Sequence, residues 1–192
     1  MYKKQVWFYV LFIVSCSLFA QTKQVSLEEI WGGAFRANYM QSLQSLNNGT
    51  EYIVQEYDRT SAEMKVEIYN YKTGEKVRTL FSSNEMEGLN AFQTFTLSEN
   101  EDKVLLGNQI QRIFRRSTKG IYHVYNLNSK KLTPVANEVI QSPHFSPDGK
   151  KVAFVLNNNL YYKDLASNKT TQVTEDGKIN EIINGVTDWV YE

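Results

Sequence analysis

Turns that feed strands recur along this chain, and the recurrence restricts its folding more than any other feature. Phe145-Ser146-Pro147-Asp148-Gly149-Lys150-Lys151-Val152-Ala153-Phe154 is a polar turn running into an apolar strand. Pro147 presets φ, and Gly149 admits a backbone conformation closed to most residues. Leu97-Ser98-Glu99-Asn100-Glu101-Asp102-Lys103-Val104-Leu105-Leu106 matches it at an offset of 48 (152 − 104), and Ser45-Leu46-Asn47-Asn48-Gly49-Thr50-Glu51-Tyr52-Ile53-Val54 is a weaker earlier copy. A second element follows each turn, as Ile68-Tyr69-Asn70-Tyr71-Lys72-Thr73-Gly74-Glu75-Lys76, Val124-Tyr125-Asn126-Leu127-Asn128-Ser129-Lys130-Lys131 and Tyr162-Lys163-Asp164-Leu165-Ala166-Ser167-Asn168-Lys169. Each is a strand, a polar hairpin turn and another strand. A period of roughly 40 to 50 residues with about four strands per unit is the signature of β-propeller blades. A single β-sandwich is the alternative, and the recurrence of both elements argues against it.

The expected fold is therefore all-β: about three blades, near residues 41–90, 91–138 and 139–176, with the start of a fourth over 177–192. Candidate strands are Glu51–Tyr57, Lys65–Tyr71, Lys76–Phe81, Phe92–Leu97, Lys103–Asn108, Gly120–Leu127, Leu132–Val135, Lys151–Leu156, Asn159–Leu165 and Thr170–Thr174. Each repeat of such a fold buries its apolar face against the next. Three blades leave a terminal face uncovered, so the isolated chain is expected to be marginally stable and prone to associate through it.

Ahead of the blades, Ser26 and Glu29 have capping-box spacing, and Leu27, Ile30 and Ala34 fall on one side of a helix. This predicts a helix of about two to three turns within 21–40, weakened by Gly32-Gly33. Residues 1–20 read as an export signal: Lys3 and Lys4, then the apolar run Val6 to Val14, then Ser15, Ser17 and a cleavage point at Ala20-Gln21. A lipoprotein signal built on Ile13-Val14-Ser15-Cys16 competes with this, as does an uncleaved anchor. The run to Ala20 is short of the roughly 20 residues needed to span a bilayer. The expected location is exported: periplasmic, secreted or outer-membrane-associated. Cys16 is the single cysteine, so no intrachain disulfide can form.

Several chemistries are not encoded. Lys+Arg and Asp+Glu are both 21, which gives no basic surplus for nucleic acid. No Gly-x-Ser-x-Gly elbow, zinc-spaced cluster or phosphate-cradling glycine loop occurs, so no catalytic residue, metal or cofactor is assigned. His123 lies in a strand and His144 beside Pro143, and both read as structural or solvent-facing and not as general bases. Asn48-Gly49-Thr50 and Asn168-Lys169-Thr170 are glycosylation sequons that coincide with turns, and chance accounts for them.

The end of the chain is more specific. Asn184-Gly185-Val186-Thr187-Asp188-Trp189-Val190-Tyr191-Glu192 resembles the Asp-Trp-Val-Tyr-Glu-Glu signature of the dipeptidyl peptidase IV-like serine exopeptidases. Ser26-Leu27-Glu28-Glu29-Ile30 looks like the short helix that precedes the propeller and packs on the hydrolase domain in that family. The segment Phe114-Arg115-Arg116-Ser117, followed by Tyr122-His123-Val124-Tyr125, is similar to the family's aromatic-Arg-x-Ser segment. By that register Arg115 would bind the carbonyl of the substrate's second residue, and Glu192 would open the acidic run that holds the free amino terminus. A guanidinium suits the first task because it offers several fixed donors. Carboxylates suit the second because a free α-amino group is a cation near neutral pH. Asp188 and Trp189 read as scaffold that caps the turn and packs the loop.

The resemblance implies a parent enzyme that releases X-Pro or X-Ala dipeptides from peptides with a free N-terminus. Its catalytic triad would lie in a C-terminal α/β-hydrolase domain, and family members are often homodimers. This piece, lacking the triad, would be inactive alone and would serve substrate recognition and gating. A non-catalytic periplasmic propeller that binds a partner is the rival reading.

Overall fold

In the computed structural model, residues 24–37 and 42–191 are described. Residues 1–20, where an export signal is expected, and Glu192 lie outside the described residues. The chain divides into two units, Met1–Met40 and Gln41–Glu192.

In the first unit, helix α1 spans Leu27–Trp31. The capping box is formed: Glu29 N–H donates to Ser26 Oγ at 3.1 Å, and Ser26 N–H donates to the Glu29 carboxylate at 3.3 Å. The helix is shorter than the expected two to three turns. Gly32 is its C-cap and Gly33 turns the chain at φ 78°, so Ala34 never joins the helical face. Leu27, Ile30 and Trp31 stay exposed.

Among the described residues the second unit has twelve strands: β1 Leu43–Ser45, β2 Glu51–Asp58, β3 Glu63–Asn70, β4 Lys76–Ser82, β5 Thr94–Leu97, β6 Lys103–Arg112, β7 Thr118–Asn126, β8 Leu132–Pro134, β9 Ile140–Phe145, β10 Lys151–Leu156, β11 Asn159–Asp164 and β12 Thr170–Gln172. All pairings are antiparallel, and β1 to β4 form one sheet in sequence order. The remaining eight strands are hydrogen-bonded into a second sheet, because β7 forks. Its residues His123–Tyr125 pair with β8, whereas Lys119 and Gly120 pair with Gln141 and Ile140 of β9.

The repeat seen in the sequence is a repeat of hydrogen bonds. The first turn is closed by Leu46 N–H to Glu51 O, Ser98 N–H to Lys103 O and Ser146 N–H to Lys151 O, at 2.9–3.0 Å. At the second turn the side-chain oxygen of Asn70, Asn126 or Asp164 accepts the amides two and three residues on. Such Asx turns supply locally the acceptors a reversing backbone needs. The blades of a β-propeller account for this all-β arrangement.

Packing follows from the pleat, which sends alternate side chains to opposite faces. On β6, Val104 and Leu106 join Ile53, Val66, Ile68 and Phe81 of the first sheet in one core. Leu105, between them, joins Tyr122, Val124, Val152 and Phe154 in a second core. Phe81 is fully buried, with ring centroids 5.5 Å from Phe92 and 6.1 Å from Tyr125. Burial of a side chain that size contributes roughly 1.5–3 kcal/mol, so these two cores, one on each face of β6, hold the stack together.

Two strands, β1 and β9, were not among the sequence candidates. Pro143 falls inside β9, where proline cannot donate to a ladder. The ladder accommodates it with a register shift between Ala153 and Val155 of β10.

Candidate functional site

The second blade differs from the third in one hairpin. From the first turn to the second there are 23 residues in one (126 − 103) and 13 in the other (164 − 151). The extra length lies in β6 and in the loop that follows it. β6 is carried past a bulge between Asn108 and Gln111, with Gln109 at φ 52°, and Ile110 N–H is caught by Gln93 Oε1 at 2.7 Å. Ile113 N–H then donates to Ser117 O at 2.9 Å, closing a loop whose tip is Phe114, Arg115 and Arg116, all exposed.

The C-terminal segment comes back to this loop. It is tied to the β10–β11 hairpin, where Asn157 and Asn158 both adopt positive φ. The amide and the side-chain Nδ2 of Asn184 both donate to Asn158 O at 3.1 Å, and Gly177 N–H donates to Asn159 Oδ1 at 2.9 Å. Gly185 sits at φ 79° with its Cα against blade three: a Cβ there would lie 2.7 Å from Val155 Cγ2 and 3.2 Å from Leu160 Cδ1. Only glycine tolerates both the left-handed backbone and that approach. Beyond it, Asp188 Oδ1 accepts Val190 N–H at 2.9 Å and caps the short 3₁₀ turn Trp189–Tyr191.

Loop and segment enclose a cleft of about 520 Å³. Ile113, Phe114, Ile183 and Val186 make its apolar walls, and Thr118, Ser142, Asn158, Glu181 and Asp188 bring polar groups to it. Asp188 is occupied with its cap, and Glu181 pairs with Lys178. Arg115, at the loop tip, makes no hydrogen bond or ion pair with another described residue and does not itself line the cleft, although Phe114 beside it does. The structure thus brings the Arg115 loop and the Asn184 to Asp188 motif to one cleft, with Glu192 outside the described residues.

A smaller cavity of about 300 Å³ adjoins the cleft and shares Ser117, Thr118 and Ser142 with it. Ser142 was not singled out in the sequence; the Ser142-Pro143 pair within Ile140–Phe145 was the available signal. It lies at φ 47° within β9, a strained conformation for a residue with a Cβ. Its carbonyl accepts the Nδ1–H of exposed His144 at 2.9 Å, the only role a carbonyl oxygen can take. His123 is half-buried in β7, its Nδ1 has no partner, and burial lowers its pKa from the ordinary 6.5. Among the described residues no group of three His, Cys, Asp or Glu side chains is placed to hold a metal.

Residues 98–192 match the family model described as the dipeptidyl peptidase IV (DPP IV) N-terminal region. The solved dipeptidyl peptidase 4 of Porphyromonas gingivalis superimposes with a TM-score of 0.77 at 33% identity, over 88% of this chain and 24% of that one. The chain belongs to the dipeptidyl peptidase IV-like family. Curated relatives agree: prolyl endopeptidase FAP of Bos taurus is 33% identical over 89% of this chain and 22% of its own length. Dipeptidyl aminopeptidase A of Saccharomyces cerevisiae is 31% identical over 52% of this chain and 12% of its own. The chain therefore spans about a fifth of the length of the first curated relatives it matches and corresponds to a dipeptidyl peptidase IV-like N-terminal region.

Proposed function

We propose that this chain is the propeller portion of an exported serine exopeptidase that removes dipeptides from peptide N-termini, and that its cleft reads the substrate's amino end. The observation that supports this is the meeting of the Arg115 loop with the Asn184 to Asp188 segment at one cleft. These come from different blades, so their proximity is a product of the fold and not of sequence spacing.

The chemistry fits. Arg115 stands beside the cleft with its donors uncommitted among the described residues, suited to a substrate carbonyl. Asp188 and Glu181 are engaged locally, so the carboxylate for the α-ammonium is assigned to Glu192 and the acidic run it opens in this family. A blocked amino terminus would leave those acids unpaired, which restricts the enzyme to free N-termini. Serine acyl transfer would be carried out by an α/β-hydrolase domain of the parent protein, against which the exposed Leu27, Ile30 and Trp31 of α1 would dock.

The test is Arg115→Gln in the full-length enzyme. A hydrogen bond to a charged group contributes about 1.5–3 kcal/mol, so kcat/KM for a free X-Pro peptide should fall roughly 10- to 100-fold. N-acetylated peptide should be a poor substrate before and after. Equal cleavage of free and acetylated peptides by both proteins would overturn the reading.

A further inference from the structure

The arm that carries Arg115 leaves the second sheet at one irregularity. Asn108 pairs with Ile121 and Gln111 with Lys119, so Gln109 and Ile110 together face a single residue, Gly120. A β-bulge of this kind twists its strand and re-aims what lies beyond it. Gln93 bridges both sides of the bulge. Its backbone N–H donates to Gly107 O at 2.7 Å, ahead of the bulge, and its side-chain Oε1 accepts the Ile110 N–H at 2.7 Å, past it. The Ile110 side chain then fills a slot over two strands: a Cβ at Gly120 would lie 2.5 Å from its Cδ1, and one at Gly107 would lie 3.0 Å away. Both glycines are buried, and Ile110 packs on the second core. The β7 side of the arm is held by β9 through Lys119 and Gly120. Arg115 has no partner among the described residues, so its place is set at the root of the arm and not at the tip.

We infer that Gln93 and Ile110 are positioning residues for the peptide carbonyl that Arg115 takes. Neither lines the cleft. Together they clasp the bulge, Gln93 by its two hydrogen bonds and Ile110 by its seat over Gly107 and Gly120, and so fix the angle at which the arm presents Arg115. Without the clasp the bulge relaxes, the arm spreads over several orientations, and a smaller fraction of molecules is ready for substrate. Apparent affinity falls by that fraction, while the complex, once formed, reacts as before. The inference rests on the amino-terminus reading for its substrate but not for the clasp itself.

The experiment uses the full-length enzyme and an X-Pro peptide with a free amino terminus. Gln93 is exposed, so its replacement leaves both cores intact. Gln93→Ala should raise KM about fivefold with kcat unchanged, as expected for one lost neutral hydrogen bond that lowers the competent fraction. Gln93→Glu keeps an oxygen acceptor for the Ile110 amide and should restore the wild-type KM. In an Arg115→Gln background Gln93→Ala should have no further effect, because the first residue acts through the second. Hydrogen exchange should show peptides spanning 108–118 losing protection in Gln93→Ala and keeping it in Gln93→Glu. An unchanged KM in Gln93→Ala would overturn the inference. So would a rise that glutamate does not rescue, or one that is equal with and without Arg115. If Arg115→Gln itself leaves kcat/KM unchanged, the amino-terminus reading fails and the clasp is judged by exchange alone: protection lost with alanine and regained with glutamate upholds it, and unchanged protection overturns it.

Discussion

Gly185→Ala should loosen one wall of the cleft without unfolding the propeller blades. The added methyl meets Val155 Cγ2 at 2.7 Å, and Val155 is only 2% exposed within β10, so it has no room to retreat. Overpacking of this kind costs about 1–3 kcal/mol, and holding alanine in a left-handed conformation adds about 1–2 kcal/mol. Against that, three hydrogen bonds from Gly177 and Asn184 tie the segment to the β10–β11 hairpin. At about 1 kcal/mol each, they hold it with roughly the energy the substitution removes. The segment should therefore lift away from blade three as a local event. Hydrogen exchange followed by mass spectrometry would show peptides spanning 177–188 losing protection while those of β6 and β7 keep theirs. Adding Val155→Ala should relieve the clash but not the backbone cost, giving a coupling of about 1–2 kcal/mol in a double-mutant cycle. Unchanged protection in Gly185→Ala, or strict additivity with Val155→Ala, would refute this account of the close approach.

Ser142→Gly should raise stability by about 1 kcal/mol in a thermal melt by releasing a left-handed backbone, while weakening peptide binding measured by titration. Phe81→Ala should cost about 3–5 kcal/mol by denaturant melt, because the ring fills the core between the first and second blades. His123 predicts an acid-side effect. Its folded pKa lies below 6.5, so the unfolded chain binds more protons, and stability falls as pH drops through the window just under 6.5. His123→Gln should flatten the stability curve between pH 7 and about 5.5, above the range where the lowered carboxylates of Asp102 and Asp164 contribute. A curve unchanged by the substitution would remove His123 as the cause.

Much of the fold could be read from residue order because the blade turns carry their own chemistry. Ser98, Ser146, Asn126 and Asp164 satisfy nearby amides, so the same residue types recur at the same points. Strand β9 could not be read this way. It holds its place through partners on β7 and β10 and not through its own propensity, and it contains Pro143. Helix α1 was overextended because Ala34 kept the apolar spacing while Gly33 had already turned the chain. Family resemblance pointed to Arg115 and to the terminal motif, but their shared cleft depends on a hairpin ten residues longer than its counterpart (23 − 13) and on contacts made through Asn158. The Ser142 cavity was harder still, since Thr94, Thr96 and Ser142 from separate strands and Arg116 and Ser117 from a loop come together only when folded.

The forked strand β7 has a mechanical consequence. Sheets that touch only through side chains can slide, but two blades sharing a backbone ladder move as one plate. The Arg115 loop grows from one side of that plate, and the Asn184 segment is pinned to the other. The gap between them is thus set when the protein folds and not when a peptide arrives, so a guest would meet a jaw already at its working width.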